Sequence, residues 1–458
     1  MTAQGTVLWY CFLLLIALGF QRVTRCLSTL NVFTLFLVFF LLRHGLTVPF
    51  DATVNERVTN YPISSAVVSR TALAIAVTYV GMLCGIWLTR EVLRTPDVDP
   101  ARFGAGLRVQ GLASGVYPDL FWMTVVGVVG LVALAWGRVP RDILLQWREG
   151  LSAEQYRAWR EAYGSATHYS VGLVPYFGSL VRWAFLPTIV YMMYSLRHHG
   201  LSYRIGFWVT LILSAAIGLI SGQKAPTLFL LMGLFVTAWL GSGRVAIRLW
   251  DPRLILAVAV TVFLVLPGLY AVQYPFMDYV PRLQLGAFRL TSEADRGLQL
   301  YFHFYPQIYP HLLGASSFVL NKVLMLGYSG LPPEQLIPVS VVGPDYTDTW
   351  NAAFIGTAWV DFGWWGVALE SVVVGLVLQF IHHWFVTSQK SAALIGIYAG
   401  LIIAASRLSE ASLFSALLSW GLGSSLLLFL LIKRPLPPNS PGTPEELREG
   451  PGPAAIEA

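Results

Sequence analysis

Charge is what this chain has least of. Only 12% of its 458 residues are Asp, Glu, Lys or Arg, against about 25% in soluble domains. Meanwhile 56% are hydrophobic and the mean hydropathy is +0.63. A water-soluble fold is excluded and an integral membrane protein is implied. Cysteine is scarce too. Cys11, Cys26 and Cys84 lie in or beside apolar runs without paired or metal-ligand spacing. Neither a disulfide framework nor a zinc site follows, and the three read as packing residues. The net charge of +6 is small for this length, and an ordinary positive-inside bias accounts for it without nucleic acid. No basic residue precedes the apolar run Val7 to Phe20, so a retained first helix is expected rather than a cleaved signal peptide. There is no internal repeat, Walker loop, dinucleotide fingerprint, HExxH or nucleophile elbow, which disfavours a nucleotide-driven pump or a protease of those kinds.

What the chain has is one apolar segment after another from Val7 to Ile432. A span needs about 20 mostly apolar residues. Spans are expected near 7–20, 29–48, 66–89, 117–136, 177–196, 205–221, 226–241, 253–273, 364–385, 392–409 and 412–432. That makes an all-α polytopic protein of about eleven transmembrane helices, with ten or twelve also open because 351–385 has room for a half-helix before a full one. Lys and Arg in short loops mark the cytoplasmic side. Arg22, Arg25, Arg90, Arg94, Arg197, Arg204, Arg244, Arg248 and Lys390 then favour an N-terminus outside and two long segments, 137–176 and 274–350, on the non-cytoplasmic side. The Pro/Gly/Glu-rich tail 434–458 is expected to be a disordered cytoplasmic extension of a membrane domain spanning 1–433. In 137–176, Ser152 and Gln155 read as a capping box, and either a helical hairpin on the membrane face or a surface helix pair that only closes the fold is expected.

A charge in hydrocarbon costs several kcal/mol, so Lys224, Asp361, Glu370, Arg182, Arg407 and Glu410, inside or beside apolar segments, are functional candidates. Lys224 sits in the short turn ISGQKAPTLFLL, 220–231, against the charge bias. It reads equally as a diphosphate ligand at a helix start or as a snorkelling side chain. The stretch FRLTSEADRGLQLYFHFYPQIYPHLLG interleaves Arg289, Glu293, Asp295, Arg296, His303 and His311 with Phe288, Tyr301, Phe302, Phe304, Tyr305 and Tyr309. Rings and charges mixed in this way suit sugar recognition, although Glu293 and Arg296 also fit a pair on one solvated helix face. The aromatic content of 14%, with 16 Trp and 20 Tyr, fits either such a cavity or two membrane interfaces. Further on, Asp361-Phe362-Gly363-Trp364-Trp365-Gly366 suggests a turn where a helix breaks and restarts. Asp345 and Asp348 read as an Asp-rich turn rather than a metal site. Ser406-Arg407-Leu408-Ser409-Glu410 brings a guanidinium and a carboxylate to the same face as Lys224, with a plain ion pair as the bland reading.

The Ser-Gly-x-Lys turn at 221–224, the outer segment ending near YPHLLGASSF, and NAAFIGTAWVDFGWWGVALESVVVGLVLQ together resemble the bacterial oligosaccharide repeat-unit polymerases of the Wzy type. Lysine stands at 224 where that family often has arginine. The resemblance implies a GT-C-like fold in the bacterial inner membrane, facing the periplasm. It implies transfer of a growing glycan from undecaprenyl diphosphate to the non-reducing end of a new lipid-linked repeat unit. Fixed cations, Lys224, Arg289, Arg296 and Arg407, would hold the diphosphate, with Tyr301 and Tyr305 on the substrate, and Glu410, Asp361 or His303 would act as general base. No metal, cofactor or nucleotide is required, because the lipid diphosphate bond carries the energy. Partners would be the lipid-linked oligosaccharide, the bilayer, a chain-length regulator and a repeat-unit flippase. Two alternatives are an O-antigen ligase, which would transfer to lipid A core, and a transporter or flippase, which would line a path through the bundle with charge.

Overall fold

The computed structural model describes residues 3–46 except 26 and 28, 61, 63–95, 181–220, 224–243, 251–273, 277–317, 321, 325–343, 350, 352–388, 390–418 and 420–432. Among these residues the chain is all helix. The expected span 117–136, the segment 137–176, Asp345, Asp348 and the tail 434–458 lie outside them, as do the side chains of Lys224 and Glu293.

In chain order the helices are α1 (Ala3–Thr24), α2 (Val32–His44), α3 (Ser65–Leu93), α4 (Leu186–Leu196), α5 (Leu201–Ile220), α6 (Lys224–Gly241), α7 (Pro252–Val260) and α8 (Leu266–Gln273). They continue as α9 (Tyr279–Phe304), α10 (Pro333–Val342), α11 (Phe354–Thr387), α12 (Ala392–Ser406), α13 (Leu413–Leu418) and α14 (Leu422–Ile432). Among the described residues, five segments are long and apolar enough to cross a membrane: Gln4–Thr24, Ser65–Leu93, Pro252–Ala271, Phe354–Thr387 and Ala392–Ser409. Val32–His44, Leu201–Ala216 and Ala225–Gly241 are shorter apolar helices. Local chemistry sets several boundaries. Asn31 accepts hydrogen bonds from the Phe33 and Thr34 N–H groups at the start of α2, and Ser391 accepts from Leu394 at the start of α12, each supplying partners for otherwise orphaned donors.

Two departures from a plain series of spans matter. The 412–432 segment is two short helices separated by Gly421 at φ 98°. The segment 274–350 contains α9 and α10, and the C-terminal half of α9 is buried, with Asp295, Leu298, Leu300, Tyr301 and Phe302 at 6% exposure or less. An outer loop on sequence grounds is thus partly core.

The break near Asp361 is present. Gly363 has φ 59° and ψ −137° within α11, a conformation open to glycine at little cost. The chain 311–316 clips onto the helix just ahead of it. Leu312 and Leu313 N–H groups donate to the Val360 and Asp361 carbonyls, while Ser316 donates from N and Oγ to Asp361 Oδ1 and Oδ2, at 3.1 and 2.5 Å.

Glycine brings the principal helices together. Gly81 and Gly85 on α3 face Ser371 and Gly375 on α11, and a Cβ at Gly85 would collide with the Val372 carbonyl. Likewise Gly396 and Gly400 on α12 lie against Met192 and Thr188 of α4. Both are pairs of small residues four apart, the spacing that lets membrane helices approach backbone to backbone. The alternating helices then sort their ends. Arg22, Arg90, Lys390 and Arg197 belong to one end of the bundle, with Arg90 donating to the Val23 carbonyl and Lys390 to those closing α11. Arg43, His44, Arg182, Asp295, Asp361, Arg407 and Glu410 belong to the other.

Gly85→Ala is expected to destabilise the protein by about 1–3 kcal/mol, the usual cost of overpacking, and to lower the folded yield read by size-exclusion chromatography. Gly241→Ala and Gly268→Ala, where a Cβ meets nothing within 4 Å, should be tolerated. A Gly85→Ala protein that melts like wild type would contradict so close a crossing.

Candidate functional site

The second end of the bundle holds a guanidinium in an aromatic box. α12 ends in a single 3₁₀ turn, Arg407–Ser409, and Arg407 is 1% exposed. Its Cζ lies 3.6 Å from the Trp183 ring centroid, 4.1 Å from that of Trp420 and 4.8 Å from that of Phe229. The two indoles are nearly parallel, at 15° with centroids 5.7 Å apart. They come from the π-helical turn before α4 and from the residue ahead of Gly421, so three distant segments build the box. Cation–π contact is strongest when water is excluded, and Arg suits it because its flat, weakly hydrated fork stacks on rings.

Arg407 still has hydrogen-bonding capacity left over. Its Nε and Nη2 make no hydrogen bond among the described residues. It lines a cavity with Arg182, Thr188, Tyr191, Pro226 and Ser425 that has room for about one water molecule. The charged groups that act on it include Glu410, Arg182 and Arg43. Lys224 opens α6 one turn before Phe229, so its backbone belongs to this end as well.

Glu410 does not pair with Arg407. Its Oε2 meets Arg43 of α2 at 3.3 Å, with both side chains 14% exposed, and its Oε1 has no partner among the described residues. Sequence spacing suggests a helical turn in which Arg407 orients the carboxylate. The chain instead leaves the helix at Glu410, with φ −137° and ψ −7°, and the orienting cation comes from a segment more than 360 residues earlier. Next to Arg43, the His44 ring bridges Asp295 and the Ser409 carbonyl.

The other candidates are distributed around this centre. Asp361 is buried with both oxygens engaged by Ser316, as a helix-break clamp requires. Tyr301 and Tyr305 are fully buried, so their rings are wall rather than lining. Tyr301 donates to the Trp350 carbonyl at 3.1 Å, and burial raises the pKa of both phenols. His303 is half-buried, its Nε2 3.1 Å from the Tyr61 hydroxyl, and burial lowers its pKa. That favours the neutral ring a general base needs. Arg296 is buried with its Cζ 5.9 Å from the Trp350 ring centroid, and Arg289 is half-buried further back on α9. Tyr61, Phe304 and Tyr309 form a stack with successive centroids 5.9 Å apart, the buried Phe304 lying between two half-buried rings.

Sequence reasoning passes over Glu334. It lies in the first turn of α10, half-buried, and burial, reinforced by the Asp361 carboxylate, pushes its pKa up to about 7. Its Pro-Pro-Glu context reads as a helix start, and nothing local signals the Asp361 carboxylate beside it. Among the described residues no group of three or more His, Cys, Asp or Glu could hold a metal ion.

Because the folded pKa of Glu334 lies above its ordinary value of 4.5, its contribution to stability is full below pH 4.5 and is lost as pH rises through about 7. Glu334→Gln removes that loss. It should raise the melting temperature at pH 8, with the gain shrinking towards pH 5. An equal gain at both pH values would contradict the burial of this carboxyl.

Comparison with family models, curated proteins and solved structures finds no match for this chain, so what its site can do follows from its own residues.

Proposed function

We propose that this chain is a membrane glycosyltransferase that polymerises lipid-linked oligosaccharide repeat units. It moves a growing glycan from undecaprenyl diphosphate to the non-reducing end of a new lipid-linked unit, at the periplasmic face of the inner membrane. One observation carries the reading. At one end of a helical bundle, the buried Arg407 guanidinium has two nitrogens, and the Glu410 carboxylate whose charge acts on it one oxygen, without a hydrogen-bond partner among the described residues.

That pairing suits an acceptor hydroxyl attacking a carbon whose leaving group is an anion. The hydroxyl oxygen bonds to the anomeric carbon, the bond from that carbon to the diphosphate oxygen breaks, and the hydroxyl proton passes to Glu410 Oε1. The departing diphosphate takes the bonding electrons, and its charge meets Arg407 with Arg182 alongside and Lys224 at the start of α6. Cations fixed in a dry site stabilise such charge without reorganising. Arg43 holds the other carboxylate oxygen, leaving Oε1 to accept the proton. The half-buried rings of Tyr61 and Tyr309, on either side of the buried Phe304, offer a surface for sugar faces.

The test is a chain-length ladder from purified protein and a lipid-linked repeat unit. Glu410→Gln, nearly isosteric but a poor proton acceptor, is expected to abolish polymer while the single unit persists. Arg407→Lys should cost roughly 10²–10³ in rate, as removal of a preorganised donor does, because a lysine lacks the fork. Asp361→Asn should reduce folded yield more than specific activity, since its oxygens hold Ser316. A fully active Glu410→Gln enzyme at equal protein level, or product capped on lipid A core instead of a ladder, would overturn the reading.

A further inference from the structure

His44 closes α2 with no solvent exposure. Its Nδ1 lies 3.1 Å from Asp295 Oδ1 on α9, and its Nε2 lies 2.7 Å from the Ser409 carbonyl oxygen. Each ring nitrogen thus faces an oxygen at hydrogen-bond distance. Burying such a pair is costly unless every polar atom is met, and here each ring nitrogen is met.

The position of this bridge is informative. Ser409 precedes Glu410, and Arg43, which ion-pairs with Glu410 at 3.3 Å, precedes His44. Two consecutive residues of α2 therefore hold Glu410 at two points, the carboxylate through Arg43 and the preceding carbonyl through His44. Such a double hold has work to do, because Glu410 has left the helix and follows a three-residue 3₁₀ turn. A glutamate on so short a turn has many rotamers and a soft backbone, whereas a proton acceptor must stand within about 3 Å of its proton.

We propose that His44, anchored by Asp295, is a positioning residue that fixes the Glu410 carboxylate. The hold also couples α9, which carries Arg296 and His303, to the turn that carries Arg407. The significance of the hold rests on the reading of Glu410 as proton acceptor, but the hold itself is measurable without any activity.

The full-length protein in lipid nanodiscs is treated with dicyclohexylcarbodiimide, which modifies carboxylic acids in apolar surroundings. Modification of Glu410 is followed by mass spectrometry, with the half-buried Glu370 of α11 as internal reference. His44→Ala is expected to raise the Glu410 rate about tenfold relative to Glu370, the size of coupling common within one hydrogen-bonded network. Asp295→Asn keeps an acceptor for the ring N–H but removes its charge, and should raise the rate less. It also serves as the test protein if His44→Ala does not fold. A folded variant with the wild-type Glu410-to-Glu370 ratio overturns the proposal, and so does equal acceleration at both carboxylates, which marks general loosening. A raised ratio together with a wild-type protein that makes no polymer supports the positioning role and sinks only the glycosyltransferase reading.

Discussion

A full positive charge buried at the end of a helical bundle is the constraint around which the site is arranged. Stripping a guanidinium of water costs several kcal/mol even after relaxation. Arg407 recovers that cost through the Trp183, Trp420 and Phe229 rings and through the nearby Glu410. Recovery is incomplete, because Nε and Nη2 keep unused hydrogen-bonding capacity.

The helix crossings place this charge. Gly396 and Gly400 let α12 lie directly on α4. This fixes the distance from Arg407, at the end of α12, to Trp183, in the turn that opens α4. The α3–α11 crossing at Gly81, Gly85 and Gly375 does the same for the second half of the site. It sets the start of α11, where Asp361 and Trp359 meet the 305–316 chain. The indole N–H of Trp359 donates to the Tyr305 carbonyl at 2.8 Å, and Phe302 stacks on the Trp359 ring with centroids 4.3 Å apart. Backbone contacts thus carry the precision, and the polar groups sit at their ends.

Much of the helical layout is legible in the sequence, because apolar runs and glycine report local needs. The break at Gly363 is an example. Two glycines beside aromatic residues mark a place where only a residue without a Cβ turns cheaply, and the backbone does turn there. The approach of Arg407 and Glu410 to one face is legible for the same reason, as both sit at one helix end. Their partners are not. Arg43 and His44 look like the ordinary end of an apolar helix until folding sets them against residues 365 or more positions later. Tyr301 and Tyr305 mislead in the opposite direction. Alternating rings and charges read as a ligand surface, yet the C-terminal half of α9 is enclosed, and its aromatics became core. Periodicity along one segment carries no record of what packs against it.

Binding tests the central claim most directly, because the claim is that Arg407 waits for a diphosphate. Purified protein in nanodiscs is titrated with undecaprenyl diphosphate, and the change in tryptophan emission is read as the difference from a Trp183→Phe, Trp420→Phe protein, which isolates the two rings that contact the guanidinium from the rest of the 16 tryptophans. Wild type should bind with a change in emission. Arg407→Met, which keeps bulk in the box without charge, should bind at least about tenfold more weakly, the loss expected for hydrogen bonds to a charged group. Equal affinity in the two proteins would contradict the account.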